Sequence, residues 1–358
     1  MTKPAERVDI AFRYSALGDL VLCSGFVKKH AQSANAVLYF VTQPAFAELV
    51  GTQFPSHPCL RVVNERFSGL GGLWSALRAG HKLGREIVAL HAPREVNFYD
   101  LHDVTKSRAF ALGLWLALAP HEIRTRFVSN SKAELLRRAS IWAGRDLLGE
   151  RWIYLEHQRL LPGDETFTPE LTPASAETRT APTILLAPAA SKWKKEWPSQ
   201  HWQSLIRMLQ AQMPQCQLRV VAPDEHALTH DIRTSSLIDA SRVEWSTSLK
   251  THELSGVAAA ATVGVCSNSA WLHLCEATGT PVLALEGPIV RGFGFAPWHA
   301  ESVSLEVSDL PCRPCTKHGG GRCRLKGERF HACMNEITPQ RVFDLIAEKM
   351  DAATRIPQ

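Results

Sequence analysis

Long apolar runs are missing from this 358-residue sequence. The greasiest stretch, AFALGLWLALA (Ala109–Ala119), is too short to span a bilayer. A secretory leader is not expected either, because MTKPAERVDI has no apolar core behind its charges. Charge of one sign is scarcely in excess: the formal net charge is only +5. That surplus suits a phosphorylated ligand or an anionic surface and is too small to argue for nucleic-acid binding. No short internal repeat is present. What remains is an ordinary globular composition without signs of general disorder. The length exceeds one small core, so the expectation is two domains in a cytoplasmic protein.

Nine cysteines are present. Cys23, Cys59, Cys216, Cys266 and Cys275 are scattered, mostly through apolar runs, and read as buried small hydrophobes. Cys312, Cys315, Cys323 and Cys333 cluster as C-x2-C-x7-C-x9-C. A C-x-x-C knuckle with two further thiols fits a tetrahedral thiolate site for zinc or iron. Neighbouring Arg and Lys offset the thiolate charge, and Gly319–Gly321 permits a tight turn. Two disulfides or four free thiols are the alternatives; spacing and compartment favour metal.

Strands and helices alternate along the chain, the pattern of parallel α/β sheets. Val8–Tyr14, Ala36–Thr42 and Cys59–Asn64 read as strands; the fourth is either Glu86–Ala92 or Glu95–His102. LVLCSGFVKKHA, PAFAELVGTQ and VTKSRAFALGLWLALA read as helices. Pro, Thr, Ser and acids then fill Leu161–Thr180, which has no periodicity and is the expected linker. The alternation restarts with strands Thr183–Ala187, Gln217–Ala222, Thr262–Cys266 and Pro281–Gly287. Three helices lie between them, the first two capped by Ser199 and Thr251 in this reading. Two α/β halves make the cleft between them the expected place for chemistry.

Three loops carry candidate chemistry. YSALGDLVL (Tyr14–Leu22) joins the first strand to a helix; Asp19 there is an N-cap in the bland reading and a catalytic carboxylate in the sharp one. APAASKWKKEW places Lys192, Lys194 and Lys195 before a helix amino terminus, which favours anions. A solvated charged loop is the alternative. Ser267, Asn268 and Ser269 fill another strand-to-helix turn, where hydroxyls, amide and backbone N–H groups can cradle phosphate. His273, one helical turn on, faces either the same cleft or the core.

Four motifs in order resemble one family. They are YSALGDLVL, YDLHDVTKSRAFALGL, KEWPSQHWQSL and the stretch from Ser267 to Gly287-Pro288 with His273 and Leu274. The resemblance is to glycosyltransferase family 9, the ADP-heptose:lipopolysaccharide heptosyltransferases. It implies a GT-B fold: two Rossmann-like parallel-sheet domains facing a central cleft. The domains would be residues 1–165 for the acceptor and 182–337 for the nucleotide-sugar donor, with 166–181 as linker. The four-cysteine segment, 312–333, belongs to the second, and a C-terminal helix, 338–358, would pack back on the first.

By the same resemblance Asp19 is the base. Lys195 neutralises the diphosphate with Ser267, Asn268, Ser269 and His273 nearby. Asp224 or Glu225 bonds the ribose, and Ser15, Gly18, Lys106 and Ser107 meet the acceptor. The implied reaction inverts the sugar, moving a heptose-like unit from ADP-heptose or a related donor to a lipopolysaccharide-core acceptor at the inner-membrane surface. It requires no cofactor, leaving a structural zinc or iron at the cysteines. No nucleic acid is a partner. Asn268 and Ala270 stand where the family has Asp and Gly. They leave room for a non-catalytic nucleotide-sugar-binding homologue. The four cysteines leave room for an autotransporter heptosyltransferase, a branch that holds iron with such thiols.

Overall fold

A computed structural model of the chain describes residues 5–54, 57, 59–67, 71–130, 133–173 and 181–355. The chain divides into two compact units. Unit 1 is Met1–Lys132 with Tyr154–Thr172, and unit 2 is Ala133–Ile153 with Pro173–Gln358.

Unit 1 runs β1 (Arg7–Phe12), α1 (Leu17–Val21), α2 (Ser24–Ser33), β2 (Val37–Thr42), α3 (Pro44–Gln53), β3 (Leu60–Asn64), α4 (Gly72–His91), β4 (Glu95–Asp100), α5 (Thr105–Leu118) and β5 (Arg124–Ser129). Helix α6 (Glu134–Ala143) belongs to unit 2, and α7 (Ile153–Gln158) brings the chain back to unit 1. Unit 2 continues with β6 (Thr183–Ala187), α8 (Ser199–Gln212), β7 (Gln217–Val221), α9 (Ala227–Arg233), β8 (Glu244–Ser246), α10 (Leu254–Ala260), β9 (Val263–Ser267), α11 (Ala270–Ala277), β10 (Val282–Leu285), β11 (Val303–Leu305), α12 (Ala332–Asn335) and α13 (Pro339–Arg355).

Both sheets are wholly parallel, ordered β3-β2-β1-β4-β5 and β11-β10-β9-β6-β7-β8. Interior strands are buried on both faces, which is why β2 (VLYFVT) and β6 (TILLA) read as continuous apolar runs. The α8 stripe of Trp202, Leu205, Ile206 and Leu209 is buried as its spacing predicts. Each sheet reverses its strand order once, beside β1 and beside β6. Loops leaving the carboxyl ends of strands diverge there and open a crevice.

Several expectations change. The fourth strand is Glu95–Asp100, while Glu86–His91 ends the long helix α4. The expected helix after Tyr14 is two helices, α1 and α2. Ser199 and Thr251 are not caps: Pro198 and Glu253 precede α8 and α10. Edge strands β5, β8 and β11 escaped the sequence reading: β5 is largely exposed, and β8 and β11 are three residues each. Cys23, Cys266 and Cys275 are buried as expected, but Cys59 is exposed and Cys216 half-buried.

The single cut at 166–181 is also revised. Residues 133–153 are held to unit 2 by Arg137 donating to the Phe293 carbonyl (2.7 Å) and by the Gly292 N–H donating to Asp146 (2.8 Å). Part of the expected linker belongs to unit 1, where Phe167 exchanges hydrogen bonds with the Gln158 side chain at 2.6 and 2.7 Å. Residues 174–180 lie outside the described residues. Helix α13 packs on α8, β9 and β10 of its own unit.

Candidate functional site

In unit 2 the crevice lies between the loops that follow β6 and β9. These strands are neighbours, with Ile184 opposite Val263. After β6 the chain makes a single 3-10 turn, Trp193–Lys195. After β9 it passes Ser267, Asn268 and Ser269 into α11. The Lys195 Nζ donates to the Asn268 side-chain oxygen at 3.0 Å and to its carbonyl at 3.3 Å.

Two buried polar atoms next to this contact have no partner among the described residues: Asn268 Nδ2 and Ser269 Oγ. Ser269 is the N-cap residue of α11, with extended backbone, yet its hydroxyl caps nothing. An unsatisfied buried polar atom costs about 1–3 kcal/mol, so such atoms mark a place where a ligand completes the bonding. The groups gathered here include an ammonium, an amide NH2, a hydroxyl and the free N–H groups of a helix amino terminus. They form a donor-rich cradle suited to an oxygen-rich anion.

The other donor-side candidates divide. Ser267 is fully buried, and its hydroxyl donates to the Pro188 carbonyl at 3.2 Å, tying the β9 loop to the β6 loop. His273 is buried and stacks on Trp298, with ring centroids 5.7 Å apart and planes 9° from parallel. Asp224 and Glu225 are exposed on the β7 loop, on the same carboxyl edge of the sheet. Beside them His226 Nε2 meets Glu196 at 3.1 Å, a link between the β7 and β6 loops that no motif announced.

The three lysines of the β6 loop do not act together. Lys194 is buried and turns away. Its ammonium donates to the Arg322 carbonyl (3.3 Å) and to Cys315 Sγ (3.6 Å), while His331 Nε2 meets its carbonyl at 3.0 Å. Lys192 is exposed. Only Lys195 reaches the β9 loop.

The cysteine segment packs against this same turn. Gly319 has φ +87°, and a Cβ there would lie 2.9 Å from Lys195 Cγ. Glycine is required both by the left-handed backbone and by the close approach. All nine cysteines are free thiols. Burial first, then the charges of Cys315, Cys312 and Cys323, pushes Cys333 up to about 12. Burial and the charges of Cys315 and Cys323 raise Cys312 as well. The four thiols therefore share one neighbourhood and suit a soft cation in donor type. Among the described residues no three His, Cys, Asp or Glu are arranged to hold a metal ion.

Unit 1 builds its own crevice between the loops after β1 and β4. Asp19 is the third residue of α1; Ala16 is the N-cap, so the cap reading of Asp19 is replaced. Its carboxylate pairs with the buried Arg13. The other arm of Arg13 donates to the Leu101 carbonyl at 2.7 Å, which fixes the carboxylate relative to the β4 loop. Arg13, which carries no sequence signal, thus orients this carboxylate. Gly18 is buried within α1 and is not among the glycines with positive φ, and Ser15 is partly exposed in the preceding turn.

Lys106 donates to the Phe67 carbonyl at 2.6 Å and lies 5.7 Å from the Tyr14 ring centroid. Ser107 is fully buried. Its hydroxyl donates to Asp100 (2.5 Å) and accepts from the Val104 N–H (3.1 Å). It closes the start of α5. Asp100 also accepts the His102 and Asp103 N–H groups, and burial pushes its carboxyl up.

Two buried carboxyls of unit 2 gave no sequence signal. Glu276 accepts the N–H groups of Trp298 and His299 at 3.0 Å, and burial pushes it up to about 7. Glu286 is likewise pushed up to about 7 by burial, with Arg313 3.9 Å away.

Residues 152–322 match the family model "Glycosyltransferase family 9 (heptosyltransferase)". No curated protein matches the chain. Among solved structures it is similar to E. coli ADP-heptose LPS heptosyltransferase II, at 16% identity and TM-score 0.68, covering 97% of this chain and 99% of that one. It is also similar to E. coli heptosyltransferase WaaC with ADP, at 17% identity and TM-score 0.64, covering 96% and 99%. A third likeness is to the iron-containing dodecameric glycosyltransferase TibC from enterotoxigenic E. coli, at 12% identity and TM-score 0.61, covering 99% and 81%. These likenesses establish the fold, GT-B, that the motifs implied.

Proposed function

We propose, for a chain that is a family 9 glycosyltransferase over residues 152–322, that it moves a heptose-like sugar from ADP-heptose or a related donor to a lipopolysaccharide-core-type acceptor, inverting the anomeric centre. One observation carries the donor half of the reading: Lys195 meets Asn268 beside the unpartnered Ser269 hydroxyl at the start of α11.

In this reading the donor diphosphate lies in that cradle. The acceptor hydroxyl oxygen attacks the anomeric carbon as the bond to the diphosphate oxygen breaks. The hydroxyl proton passes to Asp19, whose carboxylate Arg13 orients. The negative charge that develops on the departing diphosphate meets the Lys195 ammonium, Asn268 Nδ2, the Ser269 hydroxyl and the α11 N–H groups. One carboxylate suffices, because a single displacement inverts the centre without a covalent sugar–enzyme intermediate.

Zinc or iron on Cys312, Cys315, Cys323 and Cys333 is structural in this proposal and takes no part in transfer. Elemental analysis of purified protein tests it. The four cysteines beside the donor turn favour one second reading, a protein acceptor, which sugar on co-expressed protein would reveal. A third, a non-catalytic nucleotide-sugar binder, is favoured by Asn268 spending its side-chain oxygen on Lys195. The deciding experiment is radiolabelled transfer from ADP-heptose to a heptose-deficient core acceptor. Binding of donor with no transfer to core or protein would overturn the enzyme reading.

A further inference from the structure

The greasy stretch Ala109–Ala119 forms most of α5, and the transfer chemistry leaves it unused. Helices α4 and α5 pack side by side with almost no gap. A Cβ on Gly80 would lie 2.0 Å from the Phe110 carbonyl oxygen, and one on Gly113 1.9 Å from that of Leu77. Their buried sides meet each other and the sheet core, and each helix leaves its other side exposed.

That face is unusual in composition. Trp74 is 68% exposed and Trp115 47%, with Leu73, Leu90, Leu112 and Leu116 also exposed beside them. Six large apolar side chains on two neighbouring helices are more than scattered surface residues require. Cations are interleaved with them. Arg78, Lys82 and Arg85 are exposed on α4, with His81 beside them, and Arg108 on α5. Acids are few: Glu86 on α4, none on α5, Asp103 just before α5, which pairs with Arg108 at 2.9 Å, and Glu65, which meets Lys82 only at 3.8 Å. Neither Arg78 nor Arg85 has an ion-pair partner among the described residues. A shallow groove of about 470 Å³ is lined by Leu77, Arg78, His81, Lys82, Arg85 and Glu86, with Ala89.

We propose that the outer face of α4 and α5 docks on an anionic lipid bilayer, with Trp74 and Trp115 at the headgroup level and Arg78, Lys82 and Arg85 on lipid phosphates. Indole rings with a wet edge and an apolar body favour the membrane interface, and nearby cations add electrostatic attraction. No helix among the described residues is long and apolar enough to cross a membrane, so attachment is by surface contact. The proposal stands on this surface and does not require the transferase reading.

Flotation of the purified full chain with vesicles tests it. The chain floats with phosphatidylcholine vesicles containing about one-third phosphatidylglycerol and not with phosphatidylcholine alone. Arg78→Gln with Arg85→Gln lowers partitioning on the order of 30-fold. Trp74→Ser with Trp115→Ser abolishes flotation, while Arg207→Gln with Lys250→Gln on unit 2 leaves it unchanged. ADP release from the sugar donor in solution, measured on the same samples, stays at the wild-type level in all three variants, which separates this proposal from the catalytic one. Flotation that survives both face variants would overturn it, as would equal flotation with neutral vesicles. So would a wild-type dimer that the tryptophan variant splits while vesicle binding persists, because the face would then be a contact between copies.

Discussion

The Lys195 ammonium lies 3.0 Å from the side-chain oxygen of Asn268, across 73 residues of sequence. That contact joins the two loops flanking the reversal point of the unit 2 sheet. It also explains why an amide suits position 268: the oxygen faces the lysine and leaves the NH2 as a donor. Lys195→Ala therefore weakens ADP binding about 10- to 100-fold by calorimetry, the loss of a charge-assisted contact to phosphate. The melting temperature changes little, because Lys195 is only half-buried.

Asp19→Asn separates orientation from chemistry. The helix keeps its cap, since Ala16 and not Asp19 holds that position. Loss of the Arg13 partner costs about 1–2 kcal/mol of stability. Turnover falls by about 10²–10⁴ if the carboxylate is the base. Transfer within threefold of wild type would place the base elsewhere.

Gly319→Val tests the clamp on the Trp193–Lys195 turn. The new side chain meets the Lys195 stem in a left-handed backbone position. ADP affinity drops although Lys195, Asn268 and Ser269 are intact. Unchanged affinity in a folded variant would detach the cysteine segment from the site.

Ser107→Ala is a structural lesion. It removes the hydroxyl that Asp100 and the Val104 N–H use, and stability drops by about 1–2 kcal/mol in chemical denaturation. The acceptor KM of the folded fraction remains at its wild-type value.

Glu286→Gln shows its effect through pH. The folded carboxyl is raised from 4.5 to about 7, so the native state holds the proton more tightly than the unfolded chain. Its contribution to stability is present below about pH 4.5 and is lost as pH rises through 7. The variant consequently melts above wild type at pH 8 and with it at pH 4. Equal melting at both would show that Arg313 fully supports the charged form.

Strand–helix alternation was legible because helices carry a period and interior strands a continuous apolar run, as α8 and β6 show. The β9 loop and Lys195 were legible too, since short polar runs between apolar elements stand out. Arg13 was not, because one arginine after a strand has no spacing signal. Nor was the burial of Glu276 and Glu286, which depends on what folds over them. The fate of the three lysines was equally hidden: Lys194 and Lys195, adjacent in a 3-10 turn, point in different directions, and only their neighbours distinguish them.

Asp19 and Ser107 show where the sequence stops. Local patterning by itself determined two parallel α/β sheets, the loops that end their strands and the residue types available there. Tertiary structure alone decided which of those residues meet. Strand order is a pairing between distant segments. Placing β6 beside β9, and β1 beside β4, is what carries Lys195 to Asn268 and links Asp19 through Arg13 to Leu101.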